Sequence, residues 1–170
     1  MKKILSVALV LIIMTLSSSC SAKRNDNASA KEMFDEAMIL LSYSSDEEFY
    51  YSGASEKWFL FNDDVLSGKY GEIMDYPELD TFVDYAAFFS TTSYGPEFGI
   101  FRMNTEEQAK SMKLYIDSRI SQMIKYAINY PVDTTLIKNY TVTVDGVWVY
   151  YAATENNSGF NKIVKDKLYS

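Results

Sequence analysis

The chain of 170 residues has no histidine and only one cysteine. Without histidine it cannot form a Ser-His-Asp triad, a histidine general base or an HExxH zinc site. A single cysteine also excludes a disulfide within the chain, and the sequence has neither a GxGxxG motif nor a Walker-type phosphate loop. A hydrolase built from this chain would therefore depend on carboxylates, serine or lysine, and we predict no cofactor.

Positive charge is scarce as well: 16 Lys and Arg residues face 23 Asp and Glu residues, which gives a net charge of −7. The imbalance lies in residues 31–84, which hold fourteen acids and three bases, whereas residues 85–170 are nearly neutral. Nucleic-acid phosphates require Lys and Arg, so we exclude nucleic acid as a partner. The acidic segment is either a solvated, solubilising surface or a surface for a cation-rich partner.

The longest apolar run lies at the start of the chain. Met1-Lys2-Lys3 precedes residues 4–16, of which only two are polar, and this run is shorter than the roughly 20 residues of a membrane-spanning helix. A basic start, a short apolar run and small residues are typical of a secretory signal. Three serines then lead to Cys20. The arrangement resembles the lipobox of bacterial lipoproteins, in which the cysteine after the cleavage site is acylated, although Ser17 stands where leucine is usual.

We therefore predict a lipoprotein signal peptide at residues 1–19, a lipid on Cys20 and a flexible tether over residues 20–30. Residues 31–170 then form a single domain, held by the lipid on the outer face of the cytoplasmic membrane. Two alternatives remain open, an ordinary secretory signal with an incidental cysteine and an uncleaved anchor helix.

Local signals predict both helices and strands. Ser29–Glu32 and Thr105–Gln108 have the spacing of capping boxes, and each precedes apolar residues at helical spacing. Pro131 ends the longer of these two helices near Tyr130. The predicted helices cover residues 31–42, 64–70, 105–130 and 157–168, and the predicted strands cover 57–61, the second half of 79–90, 98–103 and two runs within 140–151.

Asp145-Gly146 between two alternating runs is the strongest short-range hairpin signal in the chain. We predict a type I′ turn with Val144 opposite Val147, and Trp148 and Tyr150 together on one face of the hairpin. Two hairpins and several amphipathic helices predict an α+β fold. Its single antiparallel sheet would consist of two hairpins plus a short strand, with the helices packed on one face.

Few residues are candidates for binding. Arg119 adjoins the apolar stripe of the long helix, and we expect it either to form a structural ion pair or to recognise a ligand. Trp148 and Tyr150 either pack in the core or form an exposed row that stacks on sugars. The acidic clusters at 46–48 and 62–64 lack the spacing of a calcium-binding EF-hand loop, so solvated loops are favoured and we predict no metal site.

Several residues around the long helix share the spacing of a known family. They lie within about residues 64–153 and comprise the run Glu97-Phe-Gly-Ile-Phe101, Arg119, Gln122, Tyr126, Pro131 and the hairpin Val142-Thr-Val-Asp-Gly-Val-Trp-Val149. On these motifs the chain resembles an uncharacterised family of lipoproteins from Gram-positive bacteria, catalogued as the domain of unknown function 4358 family. The resemblance implies a lipoprotein, and the family carries no established activity to transfer.

Two classes of function are consistent with these observations. The first is a surface-anchored, non-catalytic binding or accessory module at the cell envelope, with a cell-wall or protein partner. The second is a carboxylate-dependent enzyme that acts on cell-wall glycan, which would need two carboxyl groups about 5 to 9.5 Å apart across a cleft.

Overall fold

The computed structural model describes residues 23–44, 47–71 and 75–170, so the predicted signal peptide and Cys20 lie outside the described residues. Within the described ranges, no helix is long and apolar enough to cross a membrane. The helices are α1 (Ala30–Leu41), α2 (Asp63–Tyr70), α3 (Glu106–Ala127), α4 (Thr135–Lys138) and α5 (Asn157–Leu168), and the strands are β1 (Glu48–Tyr51), β2 (Phe82–Phe89), β3 (Glu97–Met103), β4 (Thr141–Asp145) and β5 (Trp148–Ala153).

All five strands form one antiparallel sheet in the order β1-β2-β3-β5-β4. β2 and β3 form the central hairpin, in which Phe82 lies opposite Met103 and Phe89 lies opposite Glu97. β4 and β5 form the second hairpin, and β1 adds a short edge strand to β2. The predicted α+β class and the single antiparallel sheet of two hairpins plus a short strand are confirmed.

Helices cover both faces of this sheet. α2, α3 and α4 pack on the face that carries Val149 and Tyr151, whereas α1 and α5 pack on the face that carries Trp148 and Tyr150. The prediction of helices on one face is therefore wrong. The physical reason lies in β5, where all six residues are buried, because a strand with apolar side chains on both sides needs a helical layer over each.

The helix-start signals are confirmed in detail. The Ser29 side chain accepts a hydrogen bond from the Glu32 amide at the start of α1. At the start of α3 the capping box is complete: the Thr105 amide donates to Gln108 Oε1 at 3.0 Å, and the Gln108 amide donates to Thr105 Oγ1 at 3.2 Å. Because these signals act within one turn, they predict helix starts without knowledge of the fold.

The strand predicted at 57–61 is wrong. Residues Lys57–Phe59 form a short 3₁₀ helix, and the edge strand β1 lies earlier, in a segment for which no strand is predicted. Trp58 is 68% exposed, whereas the Phe59 ring packs on the edge strand, stacked on Phe49 with 4.8 Å between ring centres. Phe61 stacks on Tyr85 at 4.5 Å. A short apolar run predicts burial, and it does not by itself distinguish a strand from a buried loop.

The β4–β5 pairing is shifted by two residues from its prediction, and the turn is shifted by one. Val144 pairs with Val149, so the turn residues are Gly146 and Val147 rather than Asp145 and Gly146. Gly146 has φ +59° and Val147 does not have a positive φ, which is the pattern of a type II′ turn with glycine first. A shift of two residues keeps every side chain on its predicted face, because side chains alternate with a period of two.

The first described residues lie against the end of the sheet that carries the β4–β5 turn. Arg24 Nη1 lies 3.1 Å from Asp145 Oδ1, and the Asn25 amide donates to the carbonyl oxygen of Leu168 at 2.6 Å. Residues 23–29, which belong to the predicted tether, are thus joined to the domain by specific contacts. We call this end of the sheet the anchor end, because the chain leads from it back to Cys20, the residue predicted to carry a lipid.

Candidate functional site

A buried ion pair joins the middle of α3 to the start of β3. Arg119 Nε lies 3.0 Å from Glu97 Oε1, and Arg119 Nη2 lies 2.8 Å from Glu97 Oε2. The two side chains are only 17% and 3% exposed, so each charge needs the other as a partner. Arg119 therefore forms an ion pair with an acid, as one of its two sequence interpretations expects.

Hydrogen bonds from neighbouring residues complete this pair. Arg119 Nη1 donates to the carbonyl oxygen of Lys69 at 2.8 Å, and the Tyr151 hydroxyl donates to Glu97 Oε1 at 3.2 Å. The Tyr70 and Tyr151 hydroxyls lie 3.2 Å apart. Burial raises the pKa of both tyrosines well above its ordinary value. Burial alone would lower the pKa of Arg119, but the neighbouring Glu97 carboxylate raises it, so Arg119 stays charged.

A second ion pair lies beside the first, at the sheet edge. Lys69 Nζ is 2.6 Å from Glu48 Oε2, and the Tyr50 hydroxyl also donates to the Glu48 carboxylate. Burial alone would raise the pKa of Glu48, but the hydrogen bonds from Lys69 and Tyr50 lower it. Glu48 is therefore held as an ionised carboxylate.

Strand register explains why the two ion pairs are neighbours. Phe89 lies opposite Glu48 on one side and opposite Glu97 on the other, so the three side chains project from one face in a row. Adjacent strands are about 4.8 Å apart. Lys69 Nζ and Arg119 Cζ lie 4.5 and 5.2 Å from the centre of the Phe89 ring. These four charged residues and residues 90–95 line a depression of about 280 Å³, which we call the ion-pair basin.

The loop between β2 and β3 forms the rim of the ion-pair basin. Its ends are joined by a hydrogen bond of 3.0 Å from the Ser90 amide to the carbonyl oxygen of Pro96. Tyr94 in this loop has φ +62°, a left-handed conformation that residues other than glycine rarely adopt. The loop thereby places the Tyr94 side chain between the ion-pair basin and a neighbouring groove.

An exposed apolar surface continues from Tyr94 over the C-terminal end of α3. The exposed fractions of Tyr126, Tyr130 and Val132 are 58%, 62% and 37%. With Tyr94 and Ser93 they line a groove of about 410 Å³, and a further groove of about 230 Å³ shares Tyr130 and Val132 with it. We call Tyr94, Tyr126, Tyr130 and Val132 the tyrosine surface. Contiguous exposed apolar residues of this kind indicate an interaction site.

The tyrosine surface and the anchor end lie at opposite ends of the sheet. The Met103 amide donates to the carbonyl oxygen of Val147 at 2.8 Å, which places the β4–β5 turn beside the Phe82 end of β2. The loop that carries Tyr94 follows the other end of β2, at Phe89. A strand of this length spans about 23 Å at about 3.3 Å per residue. That length separates the two ends.

Trp148 and Tyr150 do not belong to this surface. Both are fully buried beneath α1 and α5, on the opposite face from Arg119. The Tyr150 ring centre lies 6.4 Å from that of Phe160, and burial raises the pKa of Tyr150 to about 12. The predicted exposed row for sugars is therefore wrong, and the core alternative describes both residues. The three predicted binding residues do not form one site.

Sequence reasoning missed the residues of the tyrosine surface as a site. A signal was present, because Tyr126 and Tyr130 are four residues apart at the end of the helix predicted over 105–130, immediately before Pro131, although α3 itself ends at Ala127. Another was the placement of a bulky residue in the turn Ser93-Tyr-Gly-Pro96. Neither pattern shows by itself that the side chains remain in solvent.

The acidic cluster at 62–64 begins α2. The Asn62 side chain accepts a hydrogen bond from the Val65 amide at 2.9 Å, and Asp63 and Asp64 occupy the first turn, where carboxylates interact favourably with the helix dipole. Asp46 of the other cluster lies outside the described residues. Within the described part of the chain, no three acidic or cysteine side chains are grouped to hold a metal ion.

No family model, curated protein or solved structure matches the chain. The resemblance to the domain of unknown function 4358 family and the lipid on Cys20 therefore stay predictions.

Proposed function

We propose that this protein is a lipid-anchored lipoprotein of the bacterial cell envelope, and that its domain is a non-catalytic binding module whose binding face is the tyrosine surface. The observation that carries the proposal is the exposure of Tyr126 and Tyr130, at 58% and 62%, at the end of the domain opposite the first described residues. Contiguous aromatic residues are exposed in folded domains where a partner covers them. Tyrosine suits this role because its ring is apolar and its hydroxyl is polar.

The position of Cys20 supports an outward orientation of this surface. Cys20 precedes Lys23 by three residues, and three residues span at most about 11 Å. A diacylglyceryl group on Cys20 would hold the anchor end close to the outer face of the cytoplasmic membrane, because two acyl chains bind a bilayer stably where one does not. The tyrosine surface would then face away from the membrane, toward the cell wall.

The enzyme alternative has one observation in its favour, since Glu48 and Glu97 line the same basin. A glycosidase needs one of its two carboxyl groups protonated as a general acid, which requires a raised pKa. The pKa of Glu48 is lowered, and Glu97 is held by Arg119 and Tyr151. This arrangement favours a structural role for both carboxylates. An enzyme that used them would lose its hydrolysis of wall glycan in a Glu48→Gln variant.

Binding to cell walls tests the proposed function. The full-length protein, extracted from membranes, is sedimented with protein-free cell-wall sacculi from the organism that produces it. We expect saturable binding that a combined Tyr126→Ala and Tyr130→Ala variant loses. Leu114→Ala is the matched control, because Leu114 is 68% exposed on the same helix, outside the tyrosine surface. The proposal fails if the wild-type protein remains in the supernatant, or if the tyrosine variant still sediments.

A further inference from the structure

The tyrosine surface is part of a longer track. Three adjoining depressions of about 280, 410 and 230 Å³ are connected through shared residues. Ser93 and Tyr94 line the first two, and Tyr130 and Val132 line the second two. An open track of this form suits an extended polymer, whereas a small molecule is usually bound in one enclosed pocket.

Charge in the track indicates an uncharged polymer. Its ion-pair basin contains two acids and two bases, and each acid is paired with a base at 2.6 or 2.8 Å. Neither Lys69 nor Arg119 is therefore free to attract phosphates or carboxylates, and neither acid is free to attract a cationic chain. The groove beyond Tyr94 presents tyrosine rings, a valine and the residue Ser93. The third groove adds one charged residue, Lys138, which interacts electrostatically with the Asp133 carboxylate.

The lining of the two outer grooves favours a sugar chain over a peptide that adds a strand to the sheet. Residues of the two outer grooves come from α3, from the β2–β3 loop and from the segment 128–138, and none of them belongs to a strand. A peptide that binds by strand addition requires a sheet edge, and along the track only the ion-pair basin has one, at Glu48 of β1. A pyranose ring instead has an apolar C–H face that can stack on a tyrosine ring, and its hydroxyls can bond to the hydroxyls of tyrosine and serine.

We infer that the track from the ion-pair basin across the tyrosine surface binds an extended, uncharged polysaccharide chain. This inference rests on the proposed function, which assigns binding to the same surface, and it names the class of ligand. Tyr126 and Tyr130 supply the stacking rings. The ion-pair basin adjoins the β2–β3 loop that holds Tyr94, and its paired charges do not repel an uncharged ligand.

Titration with a defined oligosaccharide tests the inference. The probes are the linear hexamer and dimer of β-1,4-linked N-acetylglucosamine, and the soluble peptides released from the same sacculi. The protein is kept at full length in a polyoxyethylene detergent, because detergents with sugar head groups would compete for the track. Isothermal titration calorimetry measures the affinity, and a thermal melt of each variant verifies that it is folded.

We expect the hexamer to bind more tightly than the dimer, because only the longer chain spans adjoining grooves. Tyr126→Ala and Tyr130→Ala should each weaken hexamer binding about tenfold, as the loss of a central aromatic contact does at other interfaces. Tyr130→Phe keeps the ring and should stay within about threefold of the wild type. Leu114→Ala should leave the affinity unchanged.

Three results would overturn the inference. One is binding to sacculi without binding to the hexamer, which leaves the proposed function standing. Another is preference for the released peptides, which makes the partner a peptide. The third concerns the variants: either Tyr126→Ala and Tyr130→Ala leave the hexamer affinity unchanged, or Leu114→Ala lowers it as much as they do. If wild-type protein does not bind sacculi at all, the proposed function itself fails.

Discussion

Gly99 lies directly opposite Tyr151 in the β3–β5 pairing. A Cβ atom on Gly99 would stand 2.7 Å from Tyr151 Cε1 and 2.4 Å from Phe101 Cζ. Because the Tyr151 hydroxyl donates to Glu97, the absence of a side chain at Gly99 lets the ring reach the buried ion pair. The hydrogen bond from Tyr151 to Glu97, the partner of Arg119, thus depends on a glycine in β3.

Gly99→Ala should destabilise the domain by about 1–3 kcal/mol, because the added methyl group overpacks a closed core. Chemical denaturation at neutral pH measures the loss. Gly68→Ala is the matched control, since a Cβ on Gly68 meets nothing within 4 Å and the residue lies inside α2. That variant should be neutral or stabilised by up to about 1 kcal/mol. Equal stability of the two variants would contradict the close approach of the Tyr151 ring.

Removal of one member of the buried ion pair should be more costly than removal of both. Arg119→Met leaves the Glu97 charge buried without its partner and should cost about 3–5 kcal/mol of unfolding free energy. A double variant with Glu97→Gln should be more stable than Arg119→Met alone, because no unpaired charge remains. Lys162→Met, in a pair whose side chains are 75% and 63% exposed, should leave the denaturation midpoint unchanged. If the effects of Arg119→Met and Glu97→Gln, each made alone, simply add up in the double variant, the two side chains are not coupled.

Stability should fall as the pH rises above about 10. Burial raises the pKa of Tyr151 and Tyr70 in the folded domain above the ordinary tyrosine value of 10.0. Above that pH the unfolded chain loses tyrosine protons that the folded domain keeps, so ionisation favours unfolding. The stability that the two protonated tyrosines contribute is complete below about pH 10, and it is lost as the pH rises toward their pKa values in the folded domain. Denaturation midpoints between pH 8 and 11 should therefore fall less steeply for Tyr151→Phe, and parallel curves would exclude this tyrosine as the cause.

The turn at Gly146 should tolerate alanine poorly, for two separable reasons. Gly146 has φ +59°, and a Cβ there would stand 1.9 Å from Arg24 Nη1. Gly53 has φ +77° with nothing within 4 Å of its Cβ position, so Gly53→Ala measures backbone strain alone, about 1–3 kcal/mol. Gly146→Ala should lower the free energy of unfolding by more than Gly53→Ala does. A second substitution, Arg24→Ala, should reduce this difference. If the difference is unaffected by Arg24→Ala, residues 23–29 do not lie against the turn in solution.

The lipid prediction is tested on the native protein. Cys20→Ala should prevent lipid attachment and release or mis-process the protein. The acidic segment 31–84 does not replace the lipid, because it is not attracted to anionic lipid head groups. Mass spectrometry of the membrane-extracted wild type should show Cys20 as the acylated N-terminus. An unmodified N-terminus downstream of Cys20 would show that the cysteine is incidental.

The sequence by itself determined the features whose physics is local. Thr105 and Gln108 satisfy backbone donors within one helical turn, so the start of α3 follows from four residues. The alternation of side chains around Gly146 determined which residues share a face of the β4–β5 hairpin, even though the pairing differs by two residues.

Only the tertiary structure decided which surfaces remain in water. Trp148 is buried because α1 and α5 cover the second face of the sheet, whereas Tyr126, in the last turn of α3, and Tyr130, three residues after that helix, stay exposed. Burial is a relation between segments far apart in the chain, and an aromatic residue has the same local signal in a core and in a binding site. The pairing of Arg119 with Glu97, 22 residues away, was decided in the same way, by the packing of α3 on β3.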